Sequence, residues 1–219
     1  MARRSELESL ATAVRATLDA AHKAREVALP ACRRTIQACA ASIRAVHRLD
    51  HSLASAKADE AAEALHEAQA ALSPYPTLAA SGPLHDAEKE YAEARLTAAL
   101  VADAPLPGAA DLGVGAAAWL GGLAEAASEL RRHVLDRLRE GADQRHRAED
   151  LLGAMDDVYG LLITVDYPDA VTGGLRRTTD ALRAVLERTR GDVTTTVLQA
   201  RLQDAIEGRL SPGPLPAPE

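Results

Sequence analysis

Phenylalanine is absent, and aromatic residues make up only 2% of the sequence. A core of stacked rings is therefore excluded, and the interior has to be built from Ala, Leu and Val. Cysteine is scarce as well. Cys32 and Cys39 lie seven residues apart on one predicted helix, about 10 Å along its axis, and no disulfide bridges that gap. Both read as reduced, buried, small apolar residues. No stretch of 18 uncharged apolar residues is present, so no segment is expected to span a membrane. The opening MARRSELESL lacks an apolar run, so no signal peptide is expected and the compartment we expect is the cytoplasm. Gly-rich phosphate loops, a nucleophile elbow, CxxC pairs and HExxH are all missing. Alternation of apolar and polar residues is missing too, which leaves no strand signal.

What remains is a helix-forming sequence. Of 219 residues, 47% are apolar, and Ala and Leu are the strongest helix formers. The fold class is all-α. Seven helical segments are predicted, over 5–48, 59–72, 83–102, 115–140, 142–165, 174–190 and from Asp192 to about Glu207. Pro30 is a candidate kink or break in the first. Gly191 reads as the C′ residue of the sixth and Asp192 as the N-cap of the seventh. We expect one helical domain over 1–208 and a disordered Pro-rich tail over 209–219. A first helix of roughly 65 Å is too long for a lone compact bundle with a radius of gyration of about 17 Å. Oligomerisation is expected.

The net charge is −7, from 25 basic and 32 acidic residues. Overall charge therefore argues against nucleic-acid binding, unless the basic residues gather on one face. The first helix carries such a run: Arg25, Arg33, Arg34, Arg44, His47 and Arg48. It is either a solvated helix face or a phosphate-contacting one, since the Arg fork matches phosphate oxygens. No aromatic residues interleave it, so binding would run through the nucleic-acid backbone.

Two carboxylate pairs stand out. Glu90 and Glu93 are spaced i, i+3, and Glu125 and Glu129 are spaced i, i+4, so each pair shares a helix face. On facing helices they could hold Mg²⁺, which takes a few oxygen ligands plus water. Equally, Asp86-Glu90-Glu93-Thr97 and Glu125-Glu129-Arg132-Asp136 are polar stripes of the kind that face solvent. Glu63 and His66 match half of a di-iron Glu-x-x-His site, but a second such motif is missing. His66 reads as an exposed histidine.

Several stretches, in order, resemble the translin/Trax family. They are Arg25-Glu26, Arg34-Thr35-Ile36 and Ile43-Arg44-Ala45-Val46-His47-Arg48, then Glu90-Tyr91-Ala92-Glu93-Ala94. Trp119-Leu120-Gly121-Gly122-Leu123-Ala124-Glu125 and Ser128-Glu129-Leu130-Arg131-Arg132 follow. Met155-Asp156-Asp157-Val158-Tyr159, Gly174-Leu175-Arg176-Arg177 and Glu187-Arg188-Thr189-Arg190-Gly191-Asp192 complete the set. The resemblance implies a seven-helix subunit and closed homo-oligomers, typically octameric, that bind single-stranded RNA or DNA inside. For the Trax branch it implies a metal-dependent endoribonuclease. Its metal, Mg²⁺ or Mn²⁺, would fall to Glu90, Glu93 and Glu125, with Glu129 assisting. Glu125 stands where the Trax pattern has Asp, and Ser128 replaces a Gly. Translin itself lacks the full carboxylate set, so these residues tilt the expectation toward Trax. The nucleic-acid contacts expected are Arg33, Arg34, Arg44, His47 and Arg48. A non-catalytic nucleic-acid-binding assembly is the alternative. Carboxylates facing each other at metal distance favour the enzyme, and carboxylates pointing to bulk water favour the binder.

Overall fold

A computed structural model describes residues 2–80 and 82–210. Among them are nine α-helices and no strand. They are α1 (Ala2–His47), α2 (His51–Leu72), α3 (Pro76–Ala79), α4 (Gly82–Ala102), α5 (Ala109–Leu112), α6 (Ala116–Glu140), α7 (Arg145–Leu162), α8 (Asp169–Thr172) and α9 (Leu175–Leu210). A 3₁₀ turn, Ala142–Gln144, precedes α7. No described helix is long and apolar enough to cross a membrane.

The long helices make one bundle. α1 packs on α2 and α4, α4 on α6, and α6 on α7 and α9. The link between α1 and α2 is only residues 48–50, so the two return antiparallel. Leu49 takes a left-handed φ of 57° there, and the Asp50 carboxylate caps α2 by accepting from the Leu53 N–H at 3.0 Å. The shared core is rich in alanine, including Ala31, Ala61, Ala87, Ala92, Ala124 and Ala126, all at 0% exposure. Short side chains let helix axes come close, toward the lower end of the 8–10 Å range. The seam between α4 and α6 is the extreme case. A Cβ on Gly122 would lie 2.7 Å from the Lys89 carbonyl oxygen and 2.8 Å from the Ala92 Cβ. No larger residue fits there without moving a helix.

Three expectations change. α1 runs unbroken through Pro30, which sits on its exposed side. The predicted break at Gly191 is absent, because α9 continues from Leu175 to Leu210. Asp192 does not cap a new helix: its carboxylate accepts from Arg131 of α6 at 2.8 Å, tying α9 to the bundle. α2 begins at His51, earlier than the 59 expected, since Asp50 supplies the cap. Of the Pro-rich tail, residues 211–219 lie outside the described residues. Cys32 and Cys39 are free and buried, as expected. His66 is exposed, also as expected.

The N-terminal part of α1 and the C-terminal part of α9 stand clear of the core. Leu7, Leu10, Val14 and Leu18 on α1 are 58–63% exposed, and Leu198, Leu202 and Ile206 on α9 are 49–62% exposed. Their spacings of three and four residues put each set on one helix face.

Candidate metal and nucleic-acid site

α4 and α6 bring the two carboxylate pairs against each other. One oxygen each from Glu90, Glu93 and Glu125 lies within 4.8 Å of the others. The close Gly121-Gly122 seam sets this approach, because it lies one turn before Glu125 and faces Lys89 to Glu93. The stripe on α4 is not a solvent face. It runs from exposed Asp86 through half-buried Glu90 to Glu93, which is only 8% exposed, and on to fully buried Thr97. The Thr97 hydroxyl has no hydrogen-bond partner among the described residues. On α6 the inward stripe is Glu125, Glu129 and His133; Arg132 points to solvent.

Clustering shifts the acids. Burial, then the charges of Glu125, Glu90 and Glu129, push the Glu93 carboxyl up to about 9. It is therefore protonated at neutral pH and shares a hydrogen bond with Glu125. Burial also raises Glu90, against the opposing charge of Lys89. Cys39 of α1 lies under the cluster, and burial with the charges of Glu90 and Glu93 pushes its thiol up to about 12. It is a packing residue, not a nucleophile.

Lys89 was not legible as part of this site. Its ammonium donates to both oxygens of Glu125 at 2.7 Å and lies 3.5 Å from Glu90 Oε1. A possible signal was its spacing: Lys89 and Glu93 are i, i+4, so a lysine was due on the carboxylate face.

Glu129 has a different neighbourhood. His47 Nε2 donates to its Oε2 at 2.7 Å, and this bond is the main reason the Glu129 pKa is lowered. His47 Nδ1 and His133 Nε2 are hydrogen-bonded at 3.1 Å. Burial, together with the His47 charge, lowers His133 to about 4. His47, expected among the nucleic-acid contacts, thus turns inward: its side chain is 5% exposed. His133 was missed, although it stands i+4 from Glu129. The four arginines are exposed, Arg33, Arg34 and Arg44 on the outer side of α1 and Arg48 in the turn just past its end. Arg33 and Arg44 share one side of α1 by their 11-residue spacing. Arg34 is paired with Glu67 of α2, while the other three make no ion pair among the described residues.

A long first helix, a bundle of this order and a carboxylate cluster on the α4–α6 seam define the class: an all-helical subunit of the translin type. No family model matches the sequence. A C3PO of Archaeoglobus, in a structure with duplex RNA, is 30% identical; the superposition covers 87% of this chain and 97% of that one, with a TM-score of 0.78. A second structure of the Archaeoglobus C3PO gives the same identity and TM-score, covering 98% of that chain. An apo C3PO of Nematostella, 18% identical with a TM-score of 0.72 over 85% of this chain and 96% of that one, shares the fold. An uncharacterized protein of Methanocaldococcus jannaschii is 29% identical over 188 residues, 84% of this chain and 81% of the relative. The chain belongs to the translin/Trax family.

Proposed function

We propose that this chain is a nucleic-acid-binding subunit and a metal-dependent endoribonuclease that cleaves single-stranded RNA. The observation that supports this most is the convergence of Glu90, Glu93 and Glu125 from two helices, with Glu93 buried. Three hard oxygen donors fit Mg²⁺ or Mn²⁺. When bound, such an ion supplies Lewis-acid polarisation of the phosphodiester and lowers the pKa of a water. The chain's own residues do the rest. To serve as a ligand Glu93 would have to give its proton to solvent, so loading would be favoured as pH rises. Glu129, kept ionised by His47, is a poor proton store and a good fixed acceptor, suited to orienting a water beside the cluster. Arg33, Arg44 and Arg48 give phosphate contacts, with Arg34 joining when it leaves Glu67.

The RNA-bound Archaeoglobus relative supports RNA as ligand, and its duplex makes paired RNA a necessary control. DNA strands fit the same backbone-directed grip. The exposed apolar faces of α1 and α9 support a homo-oligomer, and the family resemblance makes an octamer the form to expect. A cytoplasmic location accords with that resemblance.

A non-catalytic RNA-binding assembly is the second reading, favoured by Lys89, which already neutralises Glu125. Labelled single-stranded and duplex RNA, incubated with Mg²⁺, Mn²⁺ or EDTA, separates the two. Metal-dependent cleavage of the single strand is expected. RNA that binds but stays intact with every divalent ion makes the chain a binder.

A further inference from the structure

Lys89 is built into the carboxylate cluster. Its aliphatic stem lies across α6 at Gly121, where an added Cβ would be 3.3 Å from both the Lys89 Cγ and Cδ. Gly121 therefore leaves the groove the stem occupies. The head of the side chain chelates Glu125 and reaches Glu90. Lysine is also rare in this chain. Of 25 basic residues only Lys23, Lys57 and Lys89 are lysines, and the rest are arginines. An ammonium is a compact, strongly hydrated point charge on a flexible stem, unlike the planar fork of arginine. It can occupy the place of a small cation among carboxylates and can leave it again.

The positions conflict. Both oxygens of Glu125 are engaged by Lys89 at 2.7 Å, and the same carboxylate is one of the three that converge. A divalent ion sharing Glu125 would sit next to the ammonium, and two cations at such separation repel. We infer that Lys89 is an intramolecular competitor of the divalent ion: it neutralises Glu125 and Glu90 while the site is metal-free and swings off Glu125 as metal loads. This inference rests on the metal-binding reading above. It gives the chain a cation threshold, since loading must overcome the Lys89 pair, and it keeps the acidic seam together before metal arrives.

The test is Mn²⁺ binding to the full chain, followed by the electron paramagnetic resonance of free Mn²⁺, for the parent, Lys89→Met and Lys89→Arg. Methionine keeps the stem and deletes the charge. The expected result is Mn²⁺ affinity raised at least tenfold in Lys89→Met and unchanged or lowered in Lys89→Arg. Acylation of the parent with an amine-directed reagent gives a second readout that needs no variant. Mn²⁺ should increase labelling of Lys89 while Lys23 and Lys57 serve as internal references. If the parent binds Mn²⁺ and Lys89→Met binds it equally or more weakly, or if Mn²⁺ leaves Lys89 labelling unchanged, the competitor role is overturned while the metal site stands. If neither parent nor variants bind Mn²⁺ at millimolar concentration, both fall together.

Discussion

Glu93 and Glu129 face the same space between α4 and α6, yet their environments push them in opposite directions. Glu93 is buried against other carboxylates and rises to about 9. Glu129 accepts a hydrogen bond from a buried histidine and is lowered. Residue type does not set the role here; the neighbours do. One carboxyl holds a proton in the metal-free protein and, on the proposed metal-binding reading, would release it to a cation. The other stays charged and fixed. A site that needs both a ligand with reserve and a constant acceptor gets each from glutamate by changing what surrounds it.

The strongest way to break this difference is Glu93→Gln. The shape is kept and the ligand is lost. Metal-dependent cleavage is expected to fall by about 100-fold or more, with RNA binding unchanged, because the exposed arginines on α1 are untouched. Metal-free Glu93→Gln should also melt at a higher temperature than the parent at neutral pH, since folding the parent has to protonate a carboxyl that is ionised in the unfolded chain, and Gln carries no such cost. Calorimetry in EDTA, beside gel-based cleavage, checks both.

His47→Ala attacks the other side. It strips Glu129 and buried His133 of their shared partner, and leaving buried polar groups unpaired destabilises by about 1–3 kcal/mol. Denaturant unfolding reads the loss. Metal affinity should change far less than in Glu93→Gln, which would sharpen the separation between ligand and acceptor.

A smaller effect is the pH dependence of stability without metal. The folded pKa of Glu93, about 9, is above its reference of 4.5. Between those values the folded state binds more protons than the unfolded one, so stability falls as pH rises. His133 works the other way: its folded pKa of about 4 is below 6.5, so it destabilises as pH falls below 6.5. Cys39, raised from 9.0 to about 12, adds a loss of the same sign as pH approaches 9, so the window from about pH 7 to 8 isolates Glu93. Melting temperature in EDTA should decline across it in the parent and stay nearly flat in Glu93→Gln.

The fold was legible because helix formers, prolines and spacing dominate the sequence. The carboxylate residues were legible too, through their i, i+3 and i, i+4 spacing and the family resemblance. Which stripe faces inward was not. Periodicity alone makes Arg132 and Asp136 as good a continuation of Glu125 and Glu129 as His133, and only packing against α1 selects the histidine. Lys89 was overlooked because a lysine beside glutamates reads as a surface pair, and its burial depends on the glycine groove of another helix. The false break at Gly191 came from treating Gly-Asp as a stop and a cap. Arg131, 61 residues earlier, takes the Asp192 carboxylate instead. At His133, Lys89 and Gly191 a long-range contact overrides a local signal.

Glu90, Glu93 and Glu125 are proposed to hold one divalent ion. Crystals of the protein grown with Mn²⁺ and measured for anomalous scattering test it most directly. A single peak within coordinating distance of all three carboxylates, with the Lys89 ammonium moved off Glu125, is the predicted result. A map with no peak there, and Lys89 still bound to both Glu125 oxygens at saturating Mn²⁺, would contradict it.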